Sequence, residues 1–456
     1  MKAMIRRPLA FCAGVLLAAS AAAAENPRAL EHRVWLLEGV PDQTTLTALR
    51  SGGVDSLVLP VGDVQLGDAS ASLTLTPLPD LAGLEGWPVT PLVWVETSDK
   101  ASGDPGAFAS QIIPVRRMFK GGATLLLASR RYAPGLVSFA TAVARKLGQT
   151  VELALPVQDL AQQMPSGGWR DIRPVAVAFG NPSALGFPQT TLQDERVALD
   201  ALDATHVAYR GAIVVNPRAT PVPGPAGASL ASVVGGQTAI YRPGERGDIF
   251  ELRKAVVWGG VTIKAGQSVA VEVVDTARYH RDLGLLLRPV HPELAGWDTV
   301  GLPAPEPTLG MSREAFLAYL RGGEPFPRPQ VVIGFPEPAV MRVSVVNPTP
   351  QASTLATTGN WVELRFEGTE VRDVQLGDFS GMEYGRTTGG VWRGTVARDA
   401  SAVRLYLTYV PPQARVTGCV VTFISRPRTV ATRWSVRLGD GGDVSGPLEA
   451  VPLTTR

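Results

Sequence analysis

Five carboxylates stand at the ends of apolar runs, where a barrel of parallel strands collects its chemistry: Glu38, Asp63, Glu96, Asp275 and Glu306. Glu38 and Glu96 close runs that each carry a tryptophan, Trp35 and Trp94, whose flat rings suit stacking against a sugar. Two carboxylates held about 5–10 Å apart cleave glycosidic bonds, one donating a proton while the other attacks or activates water. The residue types therefore nominate Glu38, Glu96 and Asp275 as catalytic candidates, and Trp35, Trp94, Asp63 and His280 as ligand contacts. Asp275 and His280 lie close together in VVDTARYHRD and can be read as an acid–base pair or as members of local surface ion pairs. The plain alternative for the whole set is that the tryptophans pack and the acids cap helices or meet arginines.

Other chemistries find less support. The four histidines (His32, His206, His280, His291) include no pair four residues apart, and one cysteine, Cys419, remains beyond the N-terminal segment. No metal site is expected from that set. Cys419 sits in the apolar run GCVVTFI and reads as a small buried hydrophobe. Gly227-Ala228-Ser229-Leu230-Ala231 lacks the final glycine of a nucleophile elbow, and no phosphate-binding or dinucleotide glycine pattern occurs, so no cofactor is expected.

Residues 1–24 read as an export leader. Lys2, Arg6 and Arg7 precede the uncharged run LAFCAGVLLAASAAA, and Ala22-Ala23-Ala24 supplies the small side chains of a cleavage site. The expectation is a bacterial protein that is periplasmic or secreted. Without those three cations the chain carries 40 basic and 41 acidic residues, a balance that gives nucleic-acid binding no support. No later stretch reaches the roughly 18 apolar residues of a membrane span.

Short apolar runs then alternate with helical segments. The runs fall at 33–39, 56–64, 89–97, 123–129, 150–157, 173–179, 268–275 and 298–305, nearly continuous in Val, Leu and Ala, as in parallel strands covered on both faces. Asp104-Pro105 opens a helix toward Lys120, with Pro114 implying a kink or break. Further helices are read at 136–147, 189–204 and 312–321. Eight such units in about 290 residues match an irregular TIM-like (β/α)8 barrel over 25–324, with a loop at 217–225 and extra strand-like pieces in 231–267. An open doubly wound sheet is the rival, but Glu38-Gly39-Val40-Pro41 makes a poor phosphate turn. A proline-rich linker follows at 325–340. Over 341–456 helix signals vanish, and strand-like runs at 341–347, 360–368, 371–379, 390–397, 402–410 and 416–424 read as an antiparallel β-sandwich. Its aromatics Trp361, Tyr384, Trp392, Tyr406, Tyr409 and Trp434 can fill a core or line a sugar-binding face.

Two segments, ATLLLASRRYAPGLVSFATAVARKLGQTVELALPVQDL (123–160) and VSVVNPTPQASTLATTGNWVELRFEG (343–368), with GDFSG (377–381), carry a local resemblance. The chain resembles a bacterial exported family known as a domain of unknown function, numbered 3142, with a glycosidase-like barrel. The resemblance implies a carboxylate at the strand end before the helix at 136–147. Here that position reads Leu125-Leu126-Leu127-Ala128-Ser129. The combined expectation is an exported, glycosidase-like but catalytically degenerate barrel protein that binds a carbohydrate or cell-envelope component. The rival readings are an active glycoside hydrolase using a strand-end carboxylate pair, and a structural or protein-interaction module of the envelope.

Overall fold

The structure, a computed structural model, describes residues 30–452 apart from 68–69, 98–102, 120–123, 165–167, 189–190, 216–217, 223–238, 245–246, 253–255, 259–260, 265, 267, 273, 306–309, 355, 357 and 389–390. Within 216–273 it describes strands but, of side chains, only Lys264. The leader read at 1–24 and Glu306 lie outside the described residues.

Eight parallel strands close a barrel: β1 (Glu31–Trp35), β2 (Ser56–Leu66), β3 (Val89–Thr97), β4 (Leu125–Ala128), β5 (Val151–Pro156), β6 (Ile172–Gly180), β7 (Tyr209–Val214) and β8 (Leu294–Val300). Each pairs with the next, and β8 returns to β1 through Arg33 opposite Asp298 and Trp35 opposite Val300. Among the described residues seven α-helices wrap it: α1 (Gln43–Ser51), α2 (Pro105–Arg117), α3 (Leu136–Leu147), α4 (Val157–Gln163), α5 (Leu192–Asp203), α6 (Thr276–Leu286) and α7 (Arg313–Leu320). After β2 a short strand (Ala71–Leu75) and a 3-10 turn (Leu81–Leu84) stand where a helix is usual.

Local chemistry fixes the helix bounds. Asp42, Asp104, Asp275 and Ser312 each cap a helix through a side-chain oxygen, and Thr191 with Asp194 forms a capping box at α5. α3 buries Leu136, Phe139, Ala140 and Val143 and stops at Gly148 in the left-handed region, as its spacing predicts. Pro114 does not break α2. Phe108, Ala109, Ile112 and Val115 are buried on both sides of it, and that packing holds the helix across the missing N–H.

The seventh strand corrects the sequence reading. SVAVEVVD (268–275) is not a barrel strand: Ser268–Glu272 pairs antiparallel with Arg218–Val222 and Gly247–Leu252 in a separate four-stranded sheet. Arg218–Val222 also falls in the span read as loop. The barrel instead uses YRGAIV, whose Arg210 and Gly211 disguise it as polar. Arg210 points into the barrel, and Gly211 lets α6 close in, since a Cβ there would meet Leu286 Cδ1 at 2.3 Å.

The C-terminal part packs two antiparallel sheets face to face, with order 330–337, 340–347, 414–423, 371–375 in one and 391–394, 381–388, 402–406, 361–367, 429–437, 443–445 in the other. Met341, Val343, Cys419, Val421 and Phe423 of the first sheet meet Val362, Leu364, Phe366, Val403 and Leu405 of the second. Burial pushes the Cys419 thiol up to about 12, in keeping with a packing role. Gln330–Glu337 is strand rather than linker, because Val331, Ile333 and Phe335 alternate onto this core. Barrel and sandwich belong to one compact unit, Glu31–Arg456. Ala277 of α6 is part of the sandwich core, and Gly439 N–H donates to Asp275 Oδ2 at 2.7 Å.

His32 faces outward from β1, stacked on Trp297 at 4.7 Å and bonded to Thr299 Oγ1 at 3.0 Å. Burial pulls its pKa from 6.5 down to about 3, so it stays neutral in the native state. The unfolded chain takes up that proton, so stability is full above pH 6.5 and falls toward pH 3 by about 1.4 kcal/mol per pH unit. His32→Gln is expected to flatten the pH dependence of urea unfolding between pH 6.5 and 5 by close to one proton.

Candidate functional site

Alternate residues of the strands point into the barrel and sort it into tiers. Near the N-terminal ends the tier is polar, built from Arg33, Glu152, Arg210 and Asp298. Above it Trp35, Val58, Leu92, Leu126, Ala154, Val175, Ala212 and Val300 form an apolar plug. Trp94, Phe187, Leu37 and Leu185 pack onto that plug at the C-terminal mouth.

The polar tier is a buried ion network. Arg33 donates through Nε and Nη2 to both oxygens of Asp298, at 3.0 and 2.8 Å, and through Nη1 to Glu152 Oε2 at 2.5 Å. Arg210 donates to Asp298 Oδ1 at 2.8 Å and to Glu31 Oε2 at 2.7 Å, while Trp35 Nε1 donates to Asp298 Oδ2 at 2.8 Å. Gly296 makes room for it: a Cβ there would meet Glu31 O at 2.4 Å and Arg210 Nη1 at 2.7 Å. Burial alone would raise the Asp298 carboxyl, but Arg33 and Arg210 hold it far below the usual carboxylate range. Burial likewise opposes the charge on Arg33, and Asp298 and Glu152 reverse that, holding the guanidinium protonated. Asp298 is therefore no proton donor at neutral pH.

The sequence candidates fall in three places. Trp35 and Trp94 meet at the mouth, ring centroids 6.3 Å apart, and Trp94 leans on Phe187 at 6.1 Å. Glu96 lies beside them at the end of β3, exposed, 3.6 Å from Arg130 Nη1, whose guanidinium sits 5.1 Å from the Trp94 ring. Glu38 is exposed in the loop after β1, and Asp63 is exposed on β2 where that strand pairs with Ala71–Leu75. Asp275 is buried as the cap of α6, accepting the N–H groups of Arg278 (2.8 Å) and Gly439 (2.7 Å), and burial pushes its carboxyl up. His280 is exposed and bonded to Tyr319 Oη at 2.8 Å, so its partner is on α7 rather than Asp275. Glu152 and Asp298 escape a search of strand ends because they lie within runs. Their signal is parity: Arg33 and Trp35 share a face, as do Asp298 and Val300.

The sandwich aromatics divide. Tyr384 and Trp434 pack against the core. Trp361 and Trp392 flank the Arg404 guanidinium at 4.3 and 4.1 Å, and Arg404 bonds the buried Glu363, which also accepts from Arg365 and Thr387. The two arginines hold the Glu363 carboxyl down despite its burial. Tyr406 donates to Glu383 at 2.8 Å.

Among the described residues no cluster of three or more His, Cys, Asp or Glu is arranged to hold a metal ion, and no helix is long and apolar enough to cross a membrane. The fold and site define a (β/α)8-barrel protein with a fused β-sandwich. No protein-family model matches the sequence, and no curated protein matches it. Similar solved structures include the spore cortex-lytic enzyme SleL of Bacillus megaterium, at 12% identity and TM-score 0.40 over 59% of this chain and 70% of that one, and SleL of Bacillus cereus, at 12% and 0.39 over 64% and 74%. Likeness at this level carries no information on activity.

Asp298→Asn keeps the shape of the network but leaves Arg33 and Arg210 facing one another in a buried site. It is expected to cost about 3–5 kcal/mol in urea unfolding, against less than about 0.5 for Glu38→Gln on the exposed loop.

Proposed function

We propose that this is an exported bacterial barrel protein that binds a carbohydrate or cell-envelope component at the C-terminal mouth of its barrel without cleaving it. The observation that carries the reading is the aromatic mouth. Trp94 is partly exposed and braced by Trp35 and Phe187, with Arg130 and Glu96 alongside to meet hydroxyl groups. The absence of cleavage is supported by the state of the acids: Asp298 and Glu152 are bound by arginines, and Asp275 is engaged by two N–H groups. Strand β4 ends at Leu127-Ala128 and Ser129 follows, with no acid where the resemblance to family 3142 calls for one. The leader-like residues 1–24 support export to the periplasm or the medium.

Glycan-array binding by the chain from Glu25 onward tests the reading. Specific binding that weakens at least about tenfold in Trp94→Ala, the scale of about 1.4 kcal/mol, is the expected result. An array that stays silent, or binding indifferent to Trp94, overturns it.

A further inference from the structure

A cavity of about 750 Å³ opens at the other end of the barrel, around the N-terminal ends of β1–β6. In barrels of this kind that end ordinarily serves stability, and a packed floor is the expectation. Its lining combines the apolar Leu84, Trp87 and Phe119 with Arg33 and Glu152 of the polar tier and with Arg173. The volume lies within the range of small-molecule sites.

The charges of the polar tier are already matched. Glu152 is bound by Arg33, and Glu31 at the rim is bound by Arg210 and accepts from Ser56 Oγ at 2.8 Å. An ionic ligand would bring an uncompensated charge against a half-buried surface. Yet hydrogen-bonding capacity remains. Among the described residues Arg173, its side chain 46% exposed, makes one ion pair, to Glu152 Oε1, long at 3.5 Å, and a guanidinium carries five donors. The Glu31 carboxylate at the rim, 44% exposed, adds acceptor capacity. The Trp87 indole in the same lining is fixed by the Arg50 guanidinium 4.2 Å from its ring, and Arg50 is itself anchored on Gly86 O at 3.0 Å. Fixed donors and acceptors together with a fixed aromatic side chain in one cavity match a ring with hydroxyls at its edge and C–H groups on its face.

We propose that this cavity is a second binding site, separate from the mouth, for a neutral polyhydroxylated ligand of one or two sugar rings. Calorimetric titration of the chain with cellobiose and diacetylchitobiose, beside inorganic phosphate as the ionic comparator, tests it. Carrying it out in a Trp94→Ala background removes the mouth's contribution, so the two proposals fail separately. The expected result is disaccharide binding in that background, weakened at least about tenfold by Arg173→Gln and by Thr124→Trp, which projects an indole into the cavity. Bound disaccharide should also slow amide hydrogen exchange over residues 84–90, a readout independent of the variants. Absence of disaccharide binding, preference for phosphate, or binding that neither substitution weakens overturns the proposal.

Discussion

The bidentate pairing of Arg33 with Asp298 governs the interior of this protein. It spans the seam where the first strand of the barrel meets the last, and Glu152, Arg210 and Trp35 are organised around it. Burying such charges is costly, and the attraction between them offsets that cost only when every donor and acceptor is used. Here Asp298 accepts from Arg33, Arg210 and the Trp35 indole together. The pairing sets other residues in turn. Gly296 must lack a side chain, and the indole of Trp35 is tethered within the plug.

Because the ionic tier lies low in the barrel and the apolar plug lies above it, the two ends have opposite characters. The C-terminal mouth offers an aromatic surface backed by a plug of Val, Leu and Ala, with Glu96 and Arg130 beside it. The N-terminal end offers hydrogen-bonding groups held rigid by their mutual pairing. A barrel that hydrolyses glycosides needs a protonated carboxylic acid near the substrate. The guanidinium groups that stabilise Asp298 hold it ionised and so deny that residue the role of proton donor.

Much of the architecture was legible in the sequence, for identifiable reasons. Parallel strands covered on both faces leave runs rich in Val, Leu and Ala, and Leu125–Ala128, Val151–Pro156 and Ile172–Gly180 show them most plainly. Helix α3 declares itself through its apolar spacing and Gly148. β7 was hidden because an arginine that faces a buried partner looks, in one dimension, like an arginine that faces water. The strand at 330–337 was hidden by the prolines around it, although Val331, Ile333 and Phe335 alternate. The meeting of Trp35 and Trp94 could be anticipated from their positions near the ends of two strands. The pairing of Arg33 with Asp298 could not, because 265 residues separate them and only closure of the barrel brings them together.

Asp275 ties the two halves into a single mechanical body. Its carboxylate receives one N–H from the first turn of α6 and another from Gly439 in the sandwich, where any side chain would strike it, since a Cβ would lie 2.7 Å from the carboxyl carbon. Ala277, two residues further on, packs among sandwich residues. A gene fragment ending near codon 324 would thus encode a barrel with a raw face, and the sandwich cannot be exchanged for another module unless the newcomer brings a side-chain-free residue to the same spot.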